Sequence, residues 1–149
     1  MTPLTGLRPA RPGDAAQLAR ILQDWVEETE WMPALYSPTQ TQAFLEQLIS
    51  GGSVTVAEDQ SKLCGFLALD QTEIIALYIA KSARGQGWGT ALLDHAKAAH
   101  HHLALWTFAQ NAPARAFYSG RGFRQTKASD GSRNDENLPD IRMEWSTHG

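Results

Sequence analysis

The chain has 149 residues, of which 42% are hydrophobic and 19% are charged, and its formal net charge is −3. This composition excludes a disordered chain and favours a single globular domain over residues 1–149, long enough to bury a hydrophobic core. The negative charge argues against nucleic acid or an anionic membrane as a partner, because binding to either depends on clustered Lys and Arg.

Apolar residues at helical or alternating spacing predict eleven elements along the chain. Asp14 is expected to cap the first helix, and Gly51-Gly52 is a stop signal for the second. Between these helices, Pro33 and Pro38 break any regular structure. The predicted elements are, in order, a strand over 4–8, helices over 14–26 and 39–49, strands over 54–58, 63–70 and 73–80, a helix over 90–99, a strand over 103–108, a helix from 111 to about 119, and strands over 123–128 and 141–145.

The order of these elements predicts part of the sheet. Three strands between residues 54 and 80 are joined by tight turns, which is typical of an antiparallel meander. The strand, helix and strand between 73 and 108 imply a parallel pair with a right-handed crossover. The single cysteine, Cys64, excludes an internal disulfide, and no stretch approaches the ~18 apolar residues that span a bilayer. We therefore expect a cytoplasmic protein without a signal peptide or membrane anchor.

A glycine-rich segment, Arg84-Gly85-Gln86-Gly87-Trp88-Gly89-Thr90, lies where the strand over 73–80 passes into the helix over 90–99. Glycine allows positive φ and close approach of a ligand, and the first amides of a helix have no partner within it. Such helix N-termini favour phosphate, and Arg84 adds a positive charge. The segment predicts an anion site, although it matches neither a P-loop nor G-x-G-x-x-G.

The spacing Arg-x-x-Gly-x-Gly in this segment resembles that of the GCN5-related N-acetyltransferase (GNAT) family. A second block, Asn111-Ala112-Pro113-Ala114-Arg115-Ala116-Phe117-Tyr118 followed by Gly122-Phe123, is similar to that family's Asn-x-x-Ala-x-x-Phe-Tyr and Gly-Phe pattern. The order of the predicted elements also agrees with the family. The resemblance implies an α/β (α+β) fold with a mixed seven-stranded sheet and helices on both faces.

The resemblance also implies acetyl-coenzyme A as the acyl donor, with its pyrophosphate on the glycine-rich segment and its pantetheine arm near Asn111. No metal is expected, because the adjacent side chains of His100, His101 and His102 would point about 100° apart on a helix. The residues expected to hold the coenzyme are Leu77, Tyr78, Ile79, Arg84, Gly85, Gln86, Gly87, Trp88, Gly89, Thr90, Asn111, Phe117 and Tyr118.

Acyl transfer to an amine requires a base for the amine and a proton donor for the departing thiolate, because an alkylammonium with a pKa near ~10.4 is almost fully charged at neutral pH. Glu73 resembles the family's catalytic base, and desolvation beside apolar residues would raise its pKa. A solvated strand-edge glutamate is the alternative, with Glu28 as the reserve base. Tyr118 matches the family's general acid, although a Phe-Tyr pair is also ordinary core packing. A backbone amide near Tyr78 or Ile79 is expected to polarise the carbonyl.

The stretch over 27–36 mixes carboxylates with aromatic side chains, and the resemblance places it over the acceptor pocket. Glu28, Trp31 and Met32 are the expected substrate-binding residues, and they suit a cationic amine. We expect direct attack by a small-molecule primary amine in a ternary complex. A protein lysine or N-terminus is the rival acceptor, a non-catalytic acyl-coenzyme A sensor is the rival function, and family analogy suggests a homodimer.

Overall fold

The computed structural model describes residues 6–147. Within this range the chain forms four α-helices and seven β-strands in the predicted order. The helices are α1 (Ala15–Glu28), α2 (Pro38–Ser50), α3 (Trp88–Ala99) and α4 (Ala112–Ser119). The strands are β1 (Leu7–Pro9), β2 (Val54–Asp59), β3 (Lys62–Asp70), β4 (Glu73–Ile79), β5 (His102–Phe108), β6 (Arg124–Ser129) and β7 (Asp140–Ser146).

The described strands form one mixed sheet in the order β1-β2-β3-β4-β5-β7-β6. The antiparallel meander of β2, β3 and β4 is confirmed, as is the parallel pairing of β4 with β5. That parallel pairing is short, because it joins only Glu73 with Ala104 and Ile74 with Leu105. The rest of β4 therefore separates from β5 and leaves a gap in the sheet.

Helices cover both faces of the sheet and create two hydrophobic layers. One layer packs α1 and α2 on the sheet through fully buried side chains such as Leu18, Leu45 and Phe66. The other packs α3 and α4 through side chains such as Leu92 and Leu103. Among the described residues, no helix has the length and hydropathy that a membrane span requires.

Three predictions at the N-terminal end need correction. The first strand begins at Leu7, and residues 4 and 5 of its predicted range lie outside the described residues. Helix α1 extends to Glu28, so two carboxylates assigned to the irregular stretch belong to its last turn. Asp14 does not cap α1: a 3-10 turn directly precedes the helix and gives Asp14 helical angles, φ −81° and ψ −17°. Its carboxylate instead accepts hydrogen bonds from Arg8 and from the Arg11 amide.

Candidate active site

The gap between β4 and β5 opens into a first cavity of about 740 Å³, bounded by the end of α1, the C-terminal half of β4 and the first turns of α3 and α4. Most of the residues predicted for the site meet here. Its lining includes Trp25, Glu28, Glu30, Trp31, Leu77, Tyr78, Ile79, Lys81, Arg84, Gly89, Asn111, Phe117 and Tyr118.

The start of α3 is arranged to receive an anion. Gly85 and Gly87 have φ of +77° and +93°, and a Cβ at either would meet no heavy atom within 4 Å. The cap residue Gly87 offers no side chain to the first amides of α3, whereas Ser37 and Asn111 cap α2 and α4. These amides keep their donor capacity for a ligand, as phosphate binding at a helix N-terminus requires.

Arg84 supplies the cation of this segment. Its Nε donates to the carbonyl of Ile79 at 3.2 Å, and its Nη2 lies 2.5 Å from Oε1 of Glu28. An anion at the start of α3 would compete with Glu28 for this guanidinium. Lys81, which the sequence analysis did not single out, also lines the cavity and adds a second positive charge.

Two residues of the glycine-rich segment have side chains turned away from the cavity. The ring of Trp88 is buried in the core at 3% exposure, so only its backbone amide is available to a ligand. The hydroxyl of Thr90 accepts hydrogen bonds from Nε and Nη2 of Arg121 at 3.1 and 2.7 Å. Gln86 donates to the carbonyl of Ser82 at 3.5 Å.

Arg121 is a structural residue of the site that the motifs did not reveal. Its guanidinium lies 3.9 Å from the ring centre of Phe117 and donates to the Phe117 carbonyl, in addition to its bonds with Thr90. It therefore joins α4 to the first turn of α3 and fixes both sides of the first cavity. Neither periodicity nor the family pattern marks this position.

The gap exposes backbone amides of β4. The amide of Ala80 donates to the carbonyl of Cys64 on β3, at 2.7 Å. Because amide directions alternate along a strand, the amides of Leu77 and Ile79 point away from β3 and into the gap. Of the two positions expected to polarise a carbonyl, Ile79 has its amide on the open side, whereas the amide of Tyr78 points toward β3.

Tyr118 lines the first cavity from the last turn of α4 and is only 7% exposed. Its ring packs between those of Phe117 and Phe123, with centroid distances of 5.2 and 5.3 Å. Burial, with a further contribution from Tyr78, raises the pKa of Tyr118 above its ordinary value near 10. The phenol therefore keeps its proton throughout the physiological range.

The structure does not bring Glu73 to these residues. It lines neither this cavity nor the second one described below. Its two carboxylate oxygens accept hydrogen bonds from Arg142 on β7 at 3.0 and 3.1 Å. The carboxylate is thus held in a bidentate ion pair rather than standing alone beside apolar side chains.

A second cavity of about 910 Å³ adjoins the first, and the two share Trp25 and Tyr78. It lies between α2, the loop over 29–37 and the loop over 130–139, and Met32 contributes to its wall. Edge-to-face contacts run from Trp25 to Trp31 and on to Phe108. Four large apolar side chains that are unusually exposed also line this cavity: Leu35, Tyr36, Phe44 and Ile75.

The second cavity is negatively charged. Among the described residues, its lining contains no Lys or Arg but four carboxylates: Glu27, Asp135, Glu136 and Asp140. Together with the aromatic walls, these charges suit an organic cation. In the described part of the chain no group of three His, Cys, Asp or Glu residues is arranged to hold a metal ion.

Comparisons with known proteins agree with this architecture. The pattern of the acetyltransferase (GNAT) domain matches residues 50–125. Over 140 residues the chain is 27% identical to the peptidyl-lysine N-acetyltransferase YiaC of Escherichia coli K12, covering 91% of this chain and 94% of YiaC. The apo-form structure of YjaB from Escherichia coli matches with a TM-score of 0.78 and 25% identity, over 93% of this chain and 95% of YjaB.

A solved GCN5-related N-acetyltransferase from Rhodopseudomonas palustris has a TM-score of 0.76 and 28% identity, and the match covers 98% of this chain and 96% of that protein. Both the resemblance and the fold inferred from the sequence are confirmed. The domain pattern spans half of the chain and the two structures superpose on nearly all of it, so the chain belongs to the GNAT acetyltransferase family.

Proposed function

We propose that this acetyltransferase transfers the acetyl group of acetyl-coenzyme A to the side-chain amine of a lysine in a polypeptide, by direct attack in a ternary complex. The observation that carries the proposal is the meeting of two unlike cavities at Trp25 and Tyr78. The first has an anion site and a buried phenol, and the second is aromatic and negatively charged. The name of YiaC, a peptidyl-lysine N-acetyltransferase, supports this acceptor.

In this proposal the first cavity holds the acyl donor. The free amides at the start of α3 and the guanidinium of Arg84 bind the pyrophosphate, which displaces Glu28 from Arg84. Asn111 caps α4 through its side-chain oxygen, so its amide NH₂ remains to bond the pantetheine arm. Acetyl-coenzyme A supplies a thioester whose carbonyl carbon is open to attack by an amine.

The residues around the gap then promote the transfer. The amide of Ile79 donates to the carbonyl oxygen as negative charge develops on it, which is the role of an oxyanion hole. The amine nitrogen forms a bond to the carbonyl carbon while the carbon–sulfur bond breaks. The Tyr118 hydroxyl donates a hydrogen bond to the departing sulfur and stabilises the negative charge that develops there. Glu73 has no part in this scheme, because Arg142 occupies both of its oxygens.

A small-molecule amine, the acceptor expected from the sequence, is the second candidate. The hydroxyl of Tyr36 donates to Asp135, so the two loops that line the second cavity are joined across 99 residues of sequence. The joined loops limit the space of the second cavity, which favours a small acceptor. The exposed apolar side chains on the same wall favour a larger one, because they offer surface to a polypeptide beyond the acceptor nitrogen.

The test is release of thiol from acetyl-coenzyme A in the presence of lysine-containing peptides or of small amines, namely polyamines, amino acids and aminoglycosides. We expect turnover with peptides, and mass spectrometry should locate the acetyl group on lysine. Turnover with a small amine and with no peptide would show that the acceptor is a small molecule and not a polypeptide. If the protein binds the coenzyme but no amine releases thiol, a sensor function replaces the enzyme.

A further inference from the structure

The acceptor arrives as an ammonium ion, and the proposed reaction requires a group that binds it and removes a proton. Most carboxylates near the two cavities are already engaged. Glu28 is paired with Arg84, and Glu73 is paired with Arg142 outside both cavities. In the second cavity Glu27 pairs with Arg20, Asp135 accepts from the Tyr36 hydroxyl, and Asp140 accepts from the Ser129 hydroxyl and from Arg133. Glu30 lines the first cavity and makes no hydrogen bond or ion pair among the described residues, but it is exposed to solvent.

Glu136 differs from these carboxylates. It lines the second cavity and is half-buried, and within residues 6–147 its carboxylate makes no hydrogen bond or ion pair. A half-buried carboxylate without a partner can pair with a cation that binds beside it without giving up an existing contact. The aromatic side chains around the cavity add a surface on which the methylene groups of a lysine can pack.

The loop that carries Glu136 is held in place by contacts among its own residues. The side chain of Asn134 donates to the Leu138 carbonyl at 2.8 Å and accepts from the Leu138 amide at 3.2 Å, which closes a turn around Glu136. Gly131 has a φ of +93°, and a Cβ there would lie 2.5 Å from the Leu138 carbonyl carbon. Only glycine permits this close approach, so these contacts restrain the backbone on both sides of Glu136.

The electrostatics of Tyr78 show that Glu136 lies near it. Burial raises the pKa of Tyr78 to about 12, and the negative charge of Glu136 contributes to the same shift. Glu136 is therefore close enough to act on a side chain that lines both cavities. Glu136 also lines the second cavity, in which the proposed acceptor binds.

We propose that Glu136 binds the ammonium group of the acceptor at the junction of the two cavities and accepts its proton. This inference rests on the acetyl transfer to an amine proposed above. The ammonium loses two protons as the amide forms. Glu136 takes the first and passes it to water. The second leaves the acylated nitrogen and neutralises the thiolate, which the Tyr118 hydroxyl stabilises by a hydrogen bond, so the products are the amide, the free thiol and one proton.

The test compares Glu136→Gln with wild type in the full chain, using an N-terminally blocked lysine peptide, n-butylamine and acetyl-coenzyme A. We expect kcat/KM for the amine to fall about 100-fold or more at pH 7, as for loss of a general base. The deficit should shrink as the pH rises toward 9.5, because the neutral fraction of an amine with a pKa near ~10.4 grows about tenfold per pH unit. Affinity for acetyl-coenzyme A should be unchanged. Glu46→Gln, on the exposed face of α2 and outside both cavities, controls for the lost charge.

A loss that is the same at every pH, or a Glu136→Gln activity within about threefold of wild type, overturns the inference. So does a pH-dependent loss in Glu73→Gln with none in Glu136→Gln. If wild type acetylates butylamine but not the peptide, the polypeptide acceptor is wrong, and Glu136 is judged on butylamine. If wild type acetylates neither, both proposals are overturned.

Discussion

Replacement of Tyr118 by Phe removes one hydroxyl from the lining of the first cavity. The ring is packed between Phe117 and Phe123, and a phenylalanine keeps those contacts. Among the described residues no group forms a hydrogen bond with the Tyr118 hydroxyl, so the variant leaves no buried polar group without its partner. We therefore expect the free energy of unfolding to change by less than about 1 kcal/mol.

The effect on turnover should be much larger. Because burial raises the pKa of Tyr118 above 10, it is a weaker acid than a thiol with a pKa near ~8.5. Its main contribution is then a hydrogen bond to the developing thiolate, worth about 1.5–3 kcal/mol for a charged acceptor. Loss of that bond corresponds to a fall in kcat of roughly 10- to 150-fold.

The assay is thiol release at saturating amine, with affinity for acetyl-coenzyme A measured by calorimetry. Wild-type kcat should show no alkaline loss from Tyr118 below pH 10, because the raised pKa keeps the phenol protonated there. The reasoning is refuted if Tyr118→Phe keeps more than about a third of wild-type kcat, well short of the tenfold minimum. It is also refuted if coenzyme affinity falls by the same factor as kcat, since the hydroxyl would then serve binding rather than the departing thiolate.

Three further predictions concern Glu28, Gly87 and Asp14. Glu28→Gln removes a partly exposed ion pair with Arg84 that is worth up to about 1 kcal/mol, so calorimetry should show acetyl-coenzyme A binding up to about fivefold more tightly. Unchanged or weaker binding would show that Glu28 does not compete with the coenzyme for Arg84. Gly87→Ala should lower the free energy of unfolding in urea by about 1–2 kcal/mol, since φ is +93° and the added Cβ meets no neighbour; an unchanged midpoint would show that the turn relaxes. Hydrogen bonds from Arg8 lower the pKa of Asp14 in the folded chain, so the stability this carboxylate contributes is present above its unfolded pKa near ~3.9 and is lost as the pH falls through the lower folded value. Wild type should thus lose more stability on acidification than Asp14→Asn.

The parts of the site that the sequence predicts are those built from neighbours in the chain. The glycine-rich segment between β4 and α3 leaves the first amides of α3 free through local backbone geometry, and glycine at position 87 permits the positive φ found there. The cap at Asn111 also depends on nearby residues, since its side chain bonds the amide of Ala114. Such features need no tertiary information.

The parts that the sequence does not predict depend on distant partners. Glu73 is the first residue of β4, as expected, but Arg142 binds it from 69 residues further along the chain. No local pattern distinguishes this paired carboxylate from a free one. Arg121 is similar, since it reaches back 31 residues to Thr90.

Glu136 illustrates the same limit in reverse. Its loop contains ordinary turn residues, and no local pattern in the sequence sets its carboxylate apart. Within the second cavity Glu136 is distinguished by the partners of the other carboxylates, such as Tyr36 for its neighbour Asp135, and the unpaired Glu30 lines the first cavity and is exposed. A free carboxylate at a site can be recognised only when the partners of all the others are known.

The gap beside β4 explains why the two cavities meet where they do. A strand presents its amides in the plane of the sheet and its side chains to the two faces. Where β5 departs, the amide of Ile79 loses a ladder partner and becomes available to a carbonyl, while the side chain of Tyr78 borders both cavities. In the proposed function, the same departure therefore provides both the site of the acyl group and its opening toward the acceptor. A carboxylate that accepts a proton from the amine must lie in the second cavity, which Tyr78 borders. Glu136 meets that condition, whereas Glu73 does not, because it lies at the end of β4 that is paired with β5.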